Sequence, residues 1–320
     1  MKYLWLILLV ALHMTVNAQP NTAELLGYDS DAKLLIVNAD DFGMCHAENQ
    51  ATADLLLNGH ITSATIMTPC PWFEEVVAFN EEHPGLDLGV HLTLNSEWKR
   101  MKWGSVAPAG SVSSLLNSDG YFFDSVLSVE QNAVKEEVRI EFEAQIQKAL
   151  DAGIEPTHLD NHMGSAYGLA TGNHFLDIIF ELSAKYDLPF RLPRNLSEER
   201  SKNLNQEQQQ MMSDMIADLV QKGFVLPDYL ITVEHGETEE ETFEAYKQLF
   251  DDLKPGVTEL YIHAALPTDE IKALSSVWDH RAHDYNIFMS DETKAYLDSQ
   301  NIQLIEWREL QELQKKNQSG

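Results

Sequence analysis

Eight short apolar runs recur along the chain, and the segments between them have the residue spacing of helices. Repeated alternation of strand and helix is typical of parallel strands with helices packed outside them. Eight strands favour an α/β fold with a single (β/α) barrel over an open sheet, and a seven-stranded or distorted barrel is equally compatible. The predicted strands cover residues 33–39, 61–68, 86–94, 157–162, 188–192, 229–233, 259–264 and 302–306.

The first eighteen residues have the pattern of a secretory signal peptide. Lys2 precedes an almost wholly apolar run over residues 3–16, and Ala18 follows Val16 at the spacing of a cleavage site. We therefore expect residues 1–18 to be removed and the mature protein to be periplasmic or secreted. An uncleaved membrane tether is the alternative, but the apolar run is short for a permanent bilayer span.

Residues 19–320 have the length of one large α/β domain, and no shift in composition marks a second one. Two stretches interrupt the strand and helix rhythm. Residues 95–126 are rich in Gly, Ser and Trp, and residues 195–222 are rich in Gln and Met with a helical pattern. We predict that both are insertions in barrel loops, where substrate contacts tend to lie.

The chain is strongly acidic, with 51 Asp and Glu residues against 22 Lys and Arg residues and a formal net charge of −29. Such a surface repels phosphate backbones and anionic lipids, so it disfavours nucleic-acid binding and stable membrane association. A neutral or cationic substrate is compatible with it. The only cysteines are Cys45 and Cys70, and the sequence does not decide whether they pair in an oxidising compartment.

Acidic and imidazole side chains are concentrated at the predicted carboxyl ends of the strands. The run KLLIVNA leads directly into Asp40 and Asp41, and adjacent carboxylates there repel each other unless a cation or a shared proton offsets the repulsion. In a barrel all strand ends open on one face, where catalytic groups gather. The other candidates at strand ends are His91, His158, Asp160, His162 and His263.

One carboxylate and two imidazoles from different strands form an O/N/N ligand set that leaves positions open for water and substrate. The second acid of the Asp pair would then be free to act as a base. Two imidazole ligands favour Zn²⁺, Mn²⁺ or Co²⁺. We expect His158 and Asp160, which share a strand face with His162, to be structural or supporting partners outside the ligand set.

Four segments together resemble the YdjC family of carbohydrate deacetylases: NADDFG after an apolar strand, NGHITSATIM, GVHLTL and PTHLDNH. The resemblance covers roughly residues 33–306. It implies a barrel of the glycoside hydrolase/deacetylase type. It also implies that one divalent metal ion, Mg²⁺ or Zn²⁺, supports removal of an acetyl group from an N-acetylated oligosaccharide.

The same resemblance assigns roles to individual residues. It makes Asp40 the general base and His263 the general acid, and it makes Arg191 a basic residue that orients the base carboxylate. The implied metal ligands are Asp41, His91 and His162.

The chain departs from the family pattern after two of these histidines. Met163, Gly164 and Ser165 follow His162 where many relatives have further histidines, and Ala264-Ala265 follow His263 where relatives often have Pro-Gly. These changes lie where the resemblance implies contacts between the protein and the substrate near the metal. The charged cluster in WDHRAHDY, which contains His280, Arg281 and His283, is predicted to be a surface or helix-start feature, with Arg281 a minor candidate for the rim of the site.

Three other functions fit parts of the pattern. A deacylase of a non-sugar amide or ester would use the same residues, and a non-catalytic sugar-binding protein would share the fold. An Asp/His/His iron oxygenase would use a similar ligand set, but that class usually has a jelly roll of antiparallel strands. The sequence leaves a homodimer open.

Overall fold

The structure is a computed structural model that describes residues 20–196 and 205–319. The predicted signal peptide at 1–18 lies outside these residues. The strands are β1 (Lys33–Phe42), β2 (Ser63–Ile66), β3 (Leu88–Leu92), β4 (Leu159–Asn161), β5 (Tyr229–Ile231), β6 (Gly256–Ile262) and β7 (Ile302–Leu304). The α-helices are α1 (Thr22–Leu26), α2 (His46–Leu57), α3 (Phe73–Glu82), α4 (Val126–Asn132), α5 (Lys135–Asp151), α6 (Leu176–Tyr186), α7 (Gln206–Gln221), α8 (Glu239–Asp251), α9 (Asp269–Leu274), α10 (Trp278–Met289), α11 (Asp291–Ser299) and α12 (Trp307–Ser319).

All pairs of neighbouring strands are parallel, in the order β4-β3-β2-β1-β6-β5, and β7 pairs with the first residues of β1. The α/β prediction with parallel strands is therefore confirmed, and a jelly roll is ruled out for the described residues. The outer strands β4 and β5 do not pair with each other in this part of the chain. The sheet is thus a seven-stranded half-barrel, and the complete (β/α) barrel is not established.

The predicted strand at 188–192 is wrong as a regular strand. It makes one isolated bridge, between Phe190 and Leu159, and Arg191 N–H donates to the Leu159 carbonyl at 3.0 Å. The physical reason is that Pro189 and Pro193 have no N–H to donate, so a continuous ladder cannot form. The segment still lies beside β4, and Arg194 N–H donates to the Pro227 carbonyl just before β5.

Strand β1 is the centre of the sheet, since it pairs with β2, β6 and β7. Every residue from 34 to 42 is buried, as expected for a strand covered on both faces. The strand continues three residues beyond the predicted end at Ala39, through Asp40 and Asp41 to Phe42. This extension places the two acids inside the sheet rather than in a loop after it.

The two predicted insertions differ in structure. Residues 95–126 contain short 3₁₀ helices at Ala109–Ser111 and Ser113–Leu115 before α4 begins at Val126. In the second stretch, α7 agrees with the predicted helical pattern, and residues 197–204 lie outside the described residues. Cys45 and Cys70 are buried free thiols. No helix in the described ranges has the length and apolar character needed to span a bilayer.

The imidazole of His158, just before β4, stacks on the indole of Trp307. The rings of His158 and Trp307 are 4.7 Å apart at an interplanar angle of 7°. Gly89 on β3 leaves the space for this ring, because a Cβ added there would lie 2.4 Å from His158 Cε1. His158 is therefore a packing residue, in agreement with the structural role predicted for it.

We predict that Gly89→Ala lowers the free energy of unfolding by about 1–3 kcal/mol, because the His158 ring has to shift off Trp307. Urea unfolding would measure this loss. Combining Gly89→Ala with His158→Ala should cost less than the sum of the two single changes, since the clash disappears. Gly110→Ala is the control, because an added Cβ there meets nothing within 4 Å. Strictly additive losses would contradict this account.

Candidate active site

A β-bulge brings the two adjacent acids of β1 to one site. Neighbouring side chains of a regular strand point to opposite faces. Here the pairing of β1 with β2 shifts register between Ala39 and Phe42, and Asp41 has a left-handed φ of 69°. Bulges re-aim side chains in this way, and Asp is one of the residues that tolerates a positive φ. As a result, both Asp40 and Asp41 lie close to His91 on β3.

Three buried atoms, one carboxylate oxygen and two imidazole nitrogens, lie close together beside the bulge. Asp41 Oδ1 lies 3.3 Å from His162 Nδ1 and 3.6 Å from His91 Nε2, and the two nitrogens are 3.2 Å apart. Among the described residues no donor is aligned on this buried Oδ1, so it is left without a hydrogen bond. Ligands about 2.0–2.1 Å from a tetrahedral zinc lie roughly 3.3 Å from one another. The three side chains therefore fit a divalent metal ion.

Each of these histidines has its other ring nitrogen beside a carboxylate. His91 Nδ1 is 2.6 Å from Asp160 Oδ1, and His162 Nε2 is 3.0 Å from Glu97 Oε2. Carboxylates in this position fix the tautomer and orientation of metal-binding histidines. The sequence predicted a supporting role for Asp160. It missed Glu97, which lies in the 95–126 stretch and belongs to no motif.

The electrostatic field at this cluster favours positive charge. Burial acts to lower the pKa of His162, but the Glu97 and Asp41 carboxylates outweigh it and raise the pKa to about 10. Burial also opposes protonation of His91, and Asp160 and Asp40 raise its pKa nevertheless. Fields that stabilise an imidazolium also stabilise a metal cation, which competes with protons for the same nitrogens.

A second group of possible ligands, Asp40, His91 and Asp160, is already occupied by a guanidinium. Arg191 Nη1 and Nη2 each donate to Asp40 at 2.7 Å, and Nη1 lies 2.8 Å from Asp160 Oδ2. A metal ion there would be repelled by this buried charge. Burial raises the pKa of Asp40, but the Arg191 charge outweighs it, and the pKa falls well below its usual range. Asp40 is therefore an ionised carboxylate outside the O/N/N set.

The WDHRAHDY cluster, predicted to be a surface or helix-start feature, forms the start of α10 at Trp278. Arg281, predicted as a minor candidate for the rim, lines the cavity but is not a surface residue. Its side chain is buried, donates to Asp41 Oδ2 at 2.9 Å and pairs with Glu48 of α2. Arg281 is buried by contacts of the tertiary structure, because the Asp41 and Glu48 carboxylates are more than two hundred residues away in the sequence. Arg281 holds one oxygen of Asp41 and leaves Oδ1 facing the two histidines.

His263 follows the end of β6 and opens on the cavity, with 35% of its side chain exposed. Its Nε2 lies 4.0 Å from Asp41 Oδ2, and its backbone N–H donates to Asp284 at 3.0 Å. Desolvation and the Arg281 charge lower its pKa, although the Asp41 carboxylate opposes them. His263 is therefore a strong proton donor whenever it is protonated.

These side chains line one cavity of about 1500 Å³. Residues from both predicted insertions, Trp98 and Met211 among them, line its walls, and the Arg281 guanidinium lies 5.4 Å from the ring centre of Trp98. The structure thus brings all six predicted site residues to one cavity: Asp40, Asp41, His91, His162, Arg191 and His263.

Comparison with known proteins finds relatives that match most of the chain. The chain is 29% identical over 280 residues to a carbohydrate deacetylase of Brevibacillus brevis, covering 86% of this chain and 99% of the relative. A carbohydrate deacetylase of Thermoanaerobacter pseudethanolicus is 26% identical over 275 residues, covering 86% and 98%. The crystal structure of an Enterococcus faecalis protein named as a candidate cellobiose-phosphate cleavage protein aligns with a TM-score of 0.69 and 26% identity, covering 87% and 99%.

The sequence model of the YdjC-like proteins matches residues 34–299, a range that runs from the second residue of β1 into α11. This range contains the bulge, both histidine ligands of the proposed metal site, Arg191 and His263. The chain therefore belongs to the YdjC-like protein family.

Proposed function

We propose that this protein is a metal-dependent carbohydrate deacetylase that removes acetyl groups from N-acetylated saccharides. One observation carries the proposal. The buried Oδ1 of Asp41, which accepts no hydrogen bond, faces two imidazole nitrogens, while the neighbouring Asp40 lies outside this group of three ligand atoms. Two relatives that match nearly over their full length are named carbohydrate deacetylases, which supports the reaction class.

Asp41, His91 and His162 would hold the metal ion. When bound, a divalent cation polarises an acetyl carbonyl and makes a coordinated water more acidic. The donor set of two imidazoles and one carboxylate favours Zn²⁺, Mn²⁺ or Co²⁺ on ligand softness, and Mg²⁺ is the alternative with harder ligands.

In this proposal Asp40 takes the proton from the attacking water. Its two hydrogen bonds from Arg191 hold the carboxylate in one orientation and keep it ionised. Because its pKa is low, Asp40 holds an accepted proton only briefly. His263, at the open edge of the cluster, would donate a proton to the departing amine. The products are acetate and a free amino sugar.

We also propose that the protein acts outside the cytoplasm, because residues 1–18 have the pattern of a signal peptide. N-terminal sequencing of the protein recovered from its own cells would test this. A mature chain that begins near Gln19 is the expected result, and a retained Met1 would contradict it.

The two adjacent acids allow a matched test of the division of roles. Asp41→Asn removes a ligand charge while keeping a residue that accepts the positive φ, so metal affinity should fall at least about tenfold. Asp40→Asn should keep the metal but lower acetate release from N-acetylated sugars by at least about a hundredfold.

Metal content after dialysis and acetate release, measured on protein stripped and reloaded with single metals, separate these two effects. A fully active Asp40→Asn protein would refute the role of the base. An Asp41→Asn protein that binds metal like the unmodified protein would refute the ligand assignment.

Glu97 contacts the His162 ring, and in this proposal it orients that ring to bind the metal ion. We predict that Glu97→Gln weakens metal affinity by about 10–100-fold, because the amide orients the imidazole without the negative charge. Glu75→Gln is the matched control, since Glu75 contacts His46 Nδ1 at 2.6 Å in a similar pair outside the cavity. Competition titration with a chelating dye would measure both, and equal losses for the two variants would contradict the prediction.

A further inference from the structure

The mouth of the cavity carries an exposed apolar patch. Among the described residues, twelve large apolar side chains are exposed, and four of them line this cavity. Met163 is 44% exposed, Leu169 72%, Met211 62% and Val277 44%. Single exposed apolar side chains are ordinary on protein surfaces, whereas a group of them around one opening indicates a binding surface.

Helix α7 forms one wall of this patch. Gln208, Met211, Met212 and Met215 recur at the spacing of one helix face, and all four line the cavity. Ile216 is buried in the core on the same helix and anchors it. Methionine side chains are flexible and polarisable, so a surface built from them adapts to apolar groups of varied shape.

The apolar wall lines the same cavity as the Asp and His cluster. Met163 follows His162 directly and has a positive φ of 54°, a conformation that few residues other than glycine adopt. Its side chain lines the same cavity as Asp41 and His263. The cavity therefore contains both the buried charged cluster, where the proposed reaction takes place, and apolar side chains that are exposed to solvent.

The cavity has room for more than the acetylated sugar. A volume of about 1500 Å³ exceeds the 300–1000 Å³ that is usual for small-molecule sites, so one acetylated sugar would fill only part of it. A membrane is a poorer occupant than a substrate group, because anionic lipids would be repelled by a net charge of −29.

We infer that the substrate is an N-acetylated sugar that carries an apolar substituent, such as an alkyl or acyl chain, and that the substituent binds against the Met163, Leu169, Met211, Met215 and Val277 side chains. This inference rests on the proposed deacetylase function and adds the class of substrate. The sugar with its acetyl group would lie at the buried charged cluster, and the chain would extend along the methionine face of α7.

The test compares hexyl and methyl β-glycosides of N-acetylglucosamine at concentrations where both are monomeric. Binding is measured by titration calorimetry, and turnover is measured as acetate release, both on the metal-loaded protein. Each methylene that becomes buried strengthens binding about fourfold. The hexyl glycoside should therefore bind at least about tenfold more tightly than the methyl glycoside.

Variants assign the preference to the apolar wall. The double change Met211→Gln and Met215→Gln keeps side-chain length and helix propensity, and it should reduce the hexyl-to-methyl ratio to about twofold or less. Leu127→Gln is the matched control, because Leu127 is exposed on α4 and does not line the cavity. That variant should keep the full ratio.

The outcomes of the two readouts are distinct. Equal binding of the two glycosides, or a ratio that the methionine variant leaves intact, would overturn the inference, even if acetate is released. Tighter binding of the hexyl glycoside that depends on the methionines supports the apolar subsite. If that binding occurs without acetate release from either glycoside, the deacetylase proposal fails while the subsite stands.

Discussion

The structure depends on one buried guanidinium that joins three strands. Arg191 contacts Asp40 of β1, Asp160 of β4 and Glu259 of β6, all of them buried. Removing one partner of such a network leaves uncompensated charge in the interior, which is strongly destabilising. Burial and the neighbouring carboxylates raise the pKa of Glu259 to about 7, although Arg191 opposes them. The 188–192 segment makes only one isolated bridge to β4, and this ion network adds side-chain contacts that connect the segment to β1, β4 and β6.

Arg191 also determines which of the two adjacent acids, Asp40 or Asp41, is free to bind a metal ion. Arg191 occupies both oxygens of Asp40, whereas Arg281 occupies only Oδ2 of Asp41. One acid is therefore held as an ionised carboxylate, and the other keeps an oxygen directed at His91 and His162. The bulge in β1 makes this possible, because a regular strand would have turned one of the two acids away.

Much of this arrangement could be predicted from the sequence. The alternation of apolar runs and helices indicated a parallel α/β sheet, and the strand ends brought His91 and His162 towards Asp41. The prediction of a regular strand at 188–192 was wrong, because Pro189 and Pro193 interrupt the backbone hydrogen bonds of an otherwise strand-like run. Glu97 could not be found, because its partner His162 is distant in sequence and its own segment has the composition of a loop. Arg281 was only a minor candidate for the rim, because its partners Asp41 and Glu48 are more than two hundred residues away along the chain. The left-handed φ of Asp41 is also a tertiary effect, since Asp occurs at many positions without it.

The most direct measurement is anomalous diffraction from crystals of the zinc-loaded protein at the zinc absorption edge. We expect one strong peak about 2.0–2.2 Å from Asp41 Oδ1, His91 Nε2 and His162 Nδ1. A peak beside Asp40 and Asp160, or none within reach of those three atoms, would contradict it.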